Sequence, residues 1–203
     1  MKVADVDFVR SAASTADLPR DPLPQVAFVG RSNVGKSTLI NALVKRTVAR
    51  TSAAPGKTRL INLFRVTLAS HPSLARFYLV DLPGYGYARG GAESQAEFDL
   101  LVRDYFDTRP QGPAAVLQLV DIRHPGLTHD VAAHAWLTTL ADRRCAVVAT
   151  KSDKLSRTDR VRALQEWKKT MSLEMPVLPV SAAKGDGMED LWKLIVTLLT
   201  PRA

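Results

Sequence analysis

The stretch QVAFV-GRSNVGKS-TLINALVK, Gln25–Lys45, decides the fold. It opens with a short apolar run of strand character and ends in a helical pattern. Between them, Gly30–Ser37 is the phosphate-binding loop pattern in the strand–loop–helix context that pattern requires. Gly30 and Gly35 let the backbone curl across Arg31, Ser32, Asn33 and Val34, so that successive N–H groups of the loop can point at phosphate oxygens. The helix start adds the positive end of its dipole. Lys36 is expected to reach the terminal phosphates and the Ser37 hydroxyl to ligate Mg2+.

Outward from this loop, apolar β-rich runs alternate with amphipathic stretches. The pattern predicts strands at Gln25–Val29, Leu60–Leu68, Phe77–Val80, Ala114–Val120, Arg144–Thr150 and Pro176–Val180. It predicts helices at Lys36–Lys45, Ser94–Asp107, His129–Ala141, Asp159–Met171 and Met188–Thr200. Ser156 with Asp159, and Asp186 with Glu189, read as capping pairs. Such alternation predicts an α/β fold of the three-layer P-loop type. Its six-stranded sheet would be mostly parallel with one antiparallel edge strand, because the second and third runs are close enough for a hairpin. Residues 1–24, with Pro19, Pro22 and Pro24, read as an N-terminal arm, and 25–200 as one domain.

Composition narrows the function. The 203 residues carry a net charge of +8 and one cysteine, Cys145. No apolar run reaches membrane-span length, Asp5 and Asp7 stand where a signal peptide needs apolar residues, and a lone cysteine suits a reducing cytoplasm. From Pro22 to Val80 there is no Asp or Glu, while Arg31, Lys36, Lys45, Arg46, Arg50, Lys57, Arg59, Arg65 and Arg76 are basic. The remainder of the chain is nearly balanced, so this segment holds the whole excess. It answers a bound nucleotide, a polyanion such as RNA, or both.

Further motifs follow in order. Asp81, Leu82, Pro83 and Gly84 form DLPG after the third predicted strand. There the carboxylate can hold Mg2+ through water and the Gly84 N–H can meet a γ-phosphate. Thr58, in Gly56-Lys57-Thr58, can bring a loop hydroxyl to Mg2+ and order the loop when GTP is bound. Thr150, Lys151, Ser152 and Asp153 form TKSD after the run AVVA. The Asp153 carboxylate can accept both the ring N–H and the exocyclic amine of guanine, whereas adenine would leave it facing a lone pair. The Lys151 stem can lie over the base. Asn more often opens this motif, so Thr150 is expected to brace the phosphate loop less well. Val180, Ser181 and Ala182 end the last strand run, where an Ala182 N–H can meet the guanine oxygen.

Together GRSNVGKSTLIN, TSAAPGKTRLINLF, DLPGYGYA, DIRHPG and TKSD resemble the bacterial EngB GTPases, in the class that also holds TrmE, Era, EngA and the septins. The resemblance runs from about Ala4 to Thr200. It implies a small GTPase that binds GTP and GDP, assists assembly of the large ribosomal subunit through rRNA, and is required for normal division and septation. It implies a cytoplasmic monomer acting on no DNA. It also implies a nucleotide site of Gly30–Ser37, Gly56–Leu60 (with Arg59 and Leu60), Asp81–Gly84, Thr150–Asp153 and Val180–Ala182, Mg2+ on Ser37 and Thr58, and catalysis by Lys36, Thr58 and Gly84. Tyr85 stands where many signalling GTPases carry a water-orienting Gln, so slow hydrolysis is expected. Tyr85 and Tyr87, in an exposed Gly-rich loop, read as partner or RNA contacts, the alternative being packing under the switch. In related GTPases an Asn at the place of Asn33 helps hold K+ against the phosphates; the alternative is that Asn33 only shapes the loop. The competing functional reading is a GTP-binding division scaffold without a ribosomal role.

Overall fold

The computed structural model describes residues 2–49, 60–69, 71, 74–85, 100–107, 112–140 and 144–200. The expected element at its centre is β2, Gln25–Gly30, buried at every position. It pairs in parallel with β4, Arg76–Asp81, on one side and with β5, Ala115–Asp121, on the other. A strand covered on both faces reads as a continuous apolar run, as this one does. β6, Arg144–Thr150, and the short β7, Leu178–Pro179, continue the parallel side. On the other side β3, Ile61–Leu68, runs antiparallel to β4.

Among the described residues the sheet has seven strands, not six, in the order β1-β3-β4-β2-β5-β6-β7. Residues expected to be an arm form β1, Val3–Ala12, antiparallel to β3. β3 is therefore the antiparallel strand but not the edge. In β1 Val6 and Ala12 are buried and the other residues are exposed or half-buried. Register shifts between Val3 and Asp5 and between Phe8 and Arg10 break the alternation further. With the period-two signal so weakened, the backbone ladder that makes this strand left no trace in side-chain pattern.

Helices cover both faces. α1, Lys36–Val44, and α5, Met188–Leu199, lie over the face holding Val26, Phe28, Phe77 and Leu79. Residues 100–107 form α2, and α3 is Thr128–Thr138. Val102, Tyr105, Phe106 and Leu137 of these two helices pack with Ala27, Val29, Tyr78 and Val80 on the other face. The alternation along β2 and β4 thus sends successive side chains into different layers. α4, Arg157–Thr170, closes a third cluster around the fully buried Trp167. Its expected cap is present: Ser156 Oγ accepts the Asp159 N–H at 3.2 Å. The cap expected from Asp186 is not. α5 starts from Gly187 at φ 75°, where a Cβ would lie 2.4 Å from the Pro179 carbonyl oxygen.

β1 also returns acid to the basic segment. Arg46 pairs with Asp5 and Arg65 with Asp7, each at 3.1 Å, and Arg31 pairs with the buried Asp130. Arg50, Lys57 and Arg59 lie outside the described residues. Part of the charge excess seen in the linear sequence is therefore answered within the fold.

Val6, 6% exposed, is where β1 enters the core. Val6→Asp removes that burial and places a carboxylate against apolar neighbours, which should cost about 3 kcal/mol. Urea denaturation should show a lower midpoint with an unchanged slope. An unmoved midpoint would mean that residues 3–12 contribute nothing to the folded state.

Candidate active site

The C-terminal ends of the parallel strands, where ligands bind in open α/β sheets, deliver the predicted residues to one edge. β2 ends at Gly30, where an added Cβ would lie 2.7 Å from the Leu119 carbonyl oxygen and 2.9 Å from a Val34 methyl, so no larger residue fits. The chain then turns through Asn33 at φ 62° and Gly35 at φ 109°. α1 begins without a side-chain cap, which leaves its first N–H groups to an anion. The Lys36 ammonium folds back inside the loop and donates to the carbonyls of Gly30 (2.9 Å) and Arg31 (3.1 Å). Burial pulls its pKa down to about 8, against the attraction of Asp81.

Asp81 ends β4 with its Oδ2 accepting the Ser37 hydroxyl at 2.8 Å. Its Oδ1 is buried and has no hydrogen-bond partner. Burial raises this carboxyl's pKa, while Lys36 and Ser37 oppose the rise. An orphaned carboxylate oxygen beside a hydroxyl is a donor set that suits a hard cation. Among the described residues no cluster of three or more His, Cys, Asp or Glu could hold a metal alone. A cation here would draw its remaining ligands from phosphate oxygens and water. Gly56, Lys57, Thr58 and Arg59 lie outside the described residues; Leu60 is described and 39% exposed.

The DLPG turn lies directly against the phosphate loop. The Leu82 N–H donates to the Phe28 carbonyl (3.2 Å), and the Ser32 N–H donates to the Tyr85 carbonyl (3.1 Å). A Cβ on Gly84 would sit 2.6 Å from the Ser32 nitrogen and 2.9 Å from Lys36 Nζ, so only glycine allows this approach. Tyr85 takes the packing alternative rather than the preferred partner contact. It turns inward, half-buried, and its hydroxyl donates to Asp130 Oδ1 at 2.8 Å. Burial and the Asp130 carboxylate push that phenol far above its usual range. Tyr87 lies outside the described residues.

The base-recognition segment is tied to the same loop. The Thr150 hydroxyl lies 2.8 Å from the Val34 carbonyl oxygen and 3.1 Å from that of Val120. Thr150 thus makes a direct contact to the phosphate loop. Lys151, at φ 61°, reinforces it by donating to the Asn33 carbonyl (2.8 Å) and to Asp121 Oδ2 (2.9 Å). Asp153 Oδ1 accepts the Ser181 hydroxyl at 2.6 Å, a bond that holds the carboxyl below its usual pKa. The Ser152 N–H donates to the Val180 carbonyl and the Ser181 N–H to that of Asp186, which seats Val180–Ala182 beside TKSD.

Asp121 and Asp130 were missed as functional candidates. Asp121, the first residue of DIRHPG, receives the Arg123 guanidinium at 2.7 and 2.9 Å as well as Lys151. Burial alone would raise its pKa, but these partners hold it well below the usual carboxylate range. The signal available was a carboxylate ending a strand next to a known motif. Asp130 offered none beyond its place in a helix's first turn.

A family model described as 50S ribosome-binding GTPase matches residues 25–151. The chain is 42% identical over 198 residues to the probable GTP-binding protein EngB of Pelotomaculum thermopropionicum, covering 96% of each. It is 40% identical over 201 residues to the corresponding protein of Thermotoga maritima, covering 98% of each. A crystal structure of a probable GTP-binding protein engB superposes with a TM-score of 0.68 at 23% identity, over 86% of this chain and 98% of that one. Era in complex with MgGDPNP and nucleotides 1506–1542 of 16S ribosomal RNA superposes with a TM-score of 0.73 at 23% identity, over 89% of this chain and 58% of that one. At that identity the two structures speak for the fold.

The Thr150 contact predicts a kinetic effect. Thr150→Val keeps the shape and removes the hydroxyl, a loss of about 1 kcal/mol from the braced loop. GDP should dissociate about five-fold faster in stopped-flow measurements with a fluorescent nucleotide. An unchanged rate would show that Lys151 alone supports the loop.

Proposed function

The chain belongs to the EngB family of GTP-binding proteins, within the 50S ribosome-binding GTPases, and on that premise we propose that it is a slow, Mg2+-dependent GTPase acting as a switch in assembly of the large ribosomal subunit. The observation that carries the chemistry is the convergence of separate motifs on one loop. Thr150 and Lys151 brace it from the base side, while Asp81 and Gly84 lie against it from the γ-phosphate side.

Asp153, oriented by Ser181, accepts the paired N–H donors of guanine and rejects adenine. Lys36 leaves the Gly30 and Arg31 carbonyls for the terminal phosphates, and Gly84 offers its N–H to the γ-phosphate. Ser37 and Thr58 are the direct ligands proposed for Mg2+, with Asp81 acting through water. The cation, when bound, neutralises charge on the phosphate oxygens. The Mg2+ nucleotide in the Era complex supports this assignment by analogy of fold. With its hydroxyl engaged by Asp130, Tyr85 orients no attacking water in this arrangement, in keeping with a low intrinsic rate.

The ribosomal role rests on the family and on the basic segment, whose excess charge would meet rRNA rather than DNA. No helix among the described residues is long and apolar enough to cross a membrane. We read the protein as a cytoplasmic monomer whose effect on division and septation follows from ribosome supply. Sedimentation of cell extract should place it with the large subunit or its precursor when GMPPNP is added and release it with GDP. Association should weaken steeply as salt rises. Nucleotide-dependent filaments without ribosomal co-migration would instead identify a division scaffold.

K+ is proposed as a second cation, held partly by Asn33. Among the described residues the Asn33 side chain makes no hydrogen bond that would shape the loop, and it is exposed. A fixed positive charge at the bridging oxygen would stabilise the departing γ-phosphate. GTP turnover should be faster in K+ than in Na+ at equal ionic strength, and Asn33→Ala should erase the difference. Equal wild-type rates would remove the role.

A further inference from the structure

Asp130 is 0% exposed in the first turn of α3. A carboxylate so placed must be fully satisfied, and its partners all belong to the site or to the strand beside it. Oδ1 accepts the Tyr85 hydroxyl (2.8 Å), and Oδ2 accepts Arg31 Nε (3.1 Å). The backbone carbonyl of Asp130 accepts Gln118 Nε2 (2.8 Å). Gln118 Oε1 in turn lies 2.8 Å from His134 Nδ1, so the anchor is fixed to β5 and to the next turn of α3. Arg31 is the second residue of the phosphate loop, and Tyr85 immediately follows DLPG. Their main chains already meet in a β-bridge, extended by the Ser32 N–H to Tyr85 carbonyl bond. One buried carboxylate therefore grips both sides of the seam between phosphate loop and DLPG turn.

We propose that Asp130 is a positioning residue that, through Tyr85 and Arg31, clamps the DLPG turn onto the phosphate loop and thereby favours a nucleoside diphosphate over the triphosphate. A γ-phosphoryl group must accept from Lys36 Nζ and from the Gly84 N–H at once. It can do so only by standing between the turn and the loop. Here that seam is closed: a single methyl on Gly84 would overlap Ser32 and Lys36. The Ser32 N–H is also spent on the Tyr85 carbonyl across the seam. A diphosphate, which ends at the β-phosphate, leaves the seam shut. A triphosphate must part it and forfeit part of the Tyr85–Asp130–Arg31 grip. A ligand shifts such an equilibrium only by its differential affinity for the two states, so each bond in the clamp subtracts from triphosphate binding alone.

The clamp rests on the site binding guanine nucleotides, and the test separates the two ideas. Fluorescent GDP and GMPPNP are titrated with Mg2+ into wild type, Tyr85→Phe and Asp130→Asn. Tyr85→Phe removes the hydroxyl and keeps the ring. It should raise the ratio of GMPPNP to GDP affinity about ten-fold, the scale of a hydrogen bond to a charged group, while GDP affinity holds. Asp130→Asn retains an acceptor for Tyr85 and loses the charge facing Arg31, so its ratio should rise by less, about three-fold. A general structural role would weaken both nucleotides together. Parallel loss of GDP and GMPPNP binding, an unchanged ratio, or a ratio that falls would each overturn the clamp, the last by showing that Tyr85 helps receive the γ-phosphate. A wild type that bound neither nucleotide would overturn the guanine-nucleotide reading and the clamp with it.

Discussion

A buried positive charge facing a buried negative one organises this molecule. Lys36, at the start of α1, and Asp81, at the end of β4, lie in the interior, each disfavoured there alone and each eased by the other. Neither is fully satisfied. Lys36 leans on carbonyls of its own loop, and one oxygen of Asp81 has no partner. Such incompletely neutralised charges are costly in a protein core and persist where function requires them. The loop must curl tightly enough to enclose the ammonium, which fixes the glycines, and the next turn must approach closely enough to exclude water, which fixes Gly84. The central strands are covered on both faces because they are apolar along their length, and that covering keeps water from the two charges.

Most of this was legible in the residues. The phosphate loop, the strand that feeds it, the helix that leaves it and the order of the motifs follow from local chemistry and spacing alone. What was not legible depended on partners distant in sequence. β1 lacks alternation because, at the sheet edge, it buries only Val6 and Ala12 and shifts register twice against β3. Asp130 looked like an ordinary acid in a helix's first turn, yet its partners lie 99 and 45 residues away. Tyr85 sat in a run of glycine and tyrosine that reads as exposed, and only the fold shows the carboxylate beneath it. The cap of α5, though not its start at Met188, was misread for a different reason: Gly187 is required by the closeness of Pro179, a tertiary contact that no capping pattern encodes.

Charge tells the same story at larger scale. Counted along the chain, the segment from Pro22 to Val80 is a block of unopposed base. In three dimensions the first strand lays Asp5 and Asp7 over it, and α3 sends Asp130 to Arg31. Exposed pairs of this kind add little stability, but they decide which bases remain free to meet a phosphate backbone. A sequence count therefore overstates the field that a polyanion would meet.

The position of β1 has a consequence for how the chain folds. It precedes its partner β3 by a long stretch of chain, with Asp7 and Arg65 58 residues apart. Joining them closes a long loop, an entropic cost that must be met before the pairing returns anything. Until then β3 presents an open edge, and open edges invite foreign strands. Once docked, β1 becomes the edge itself, and its exposed Asp5, Asp7 and Arg10 suit that place, because charge along an edge discourages pairing with another chain.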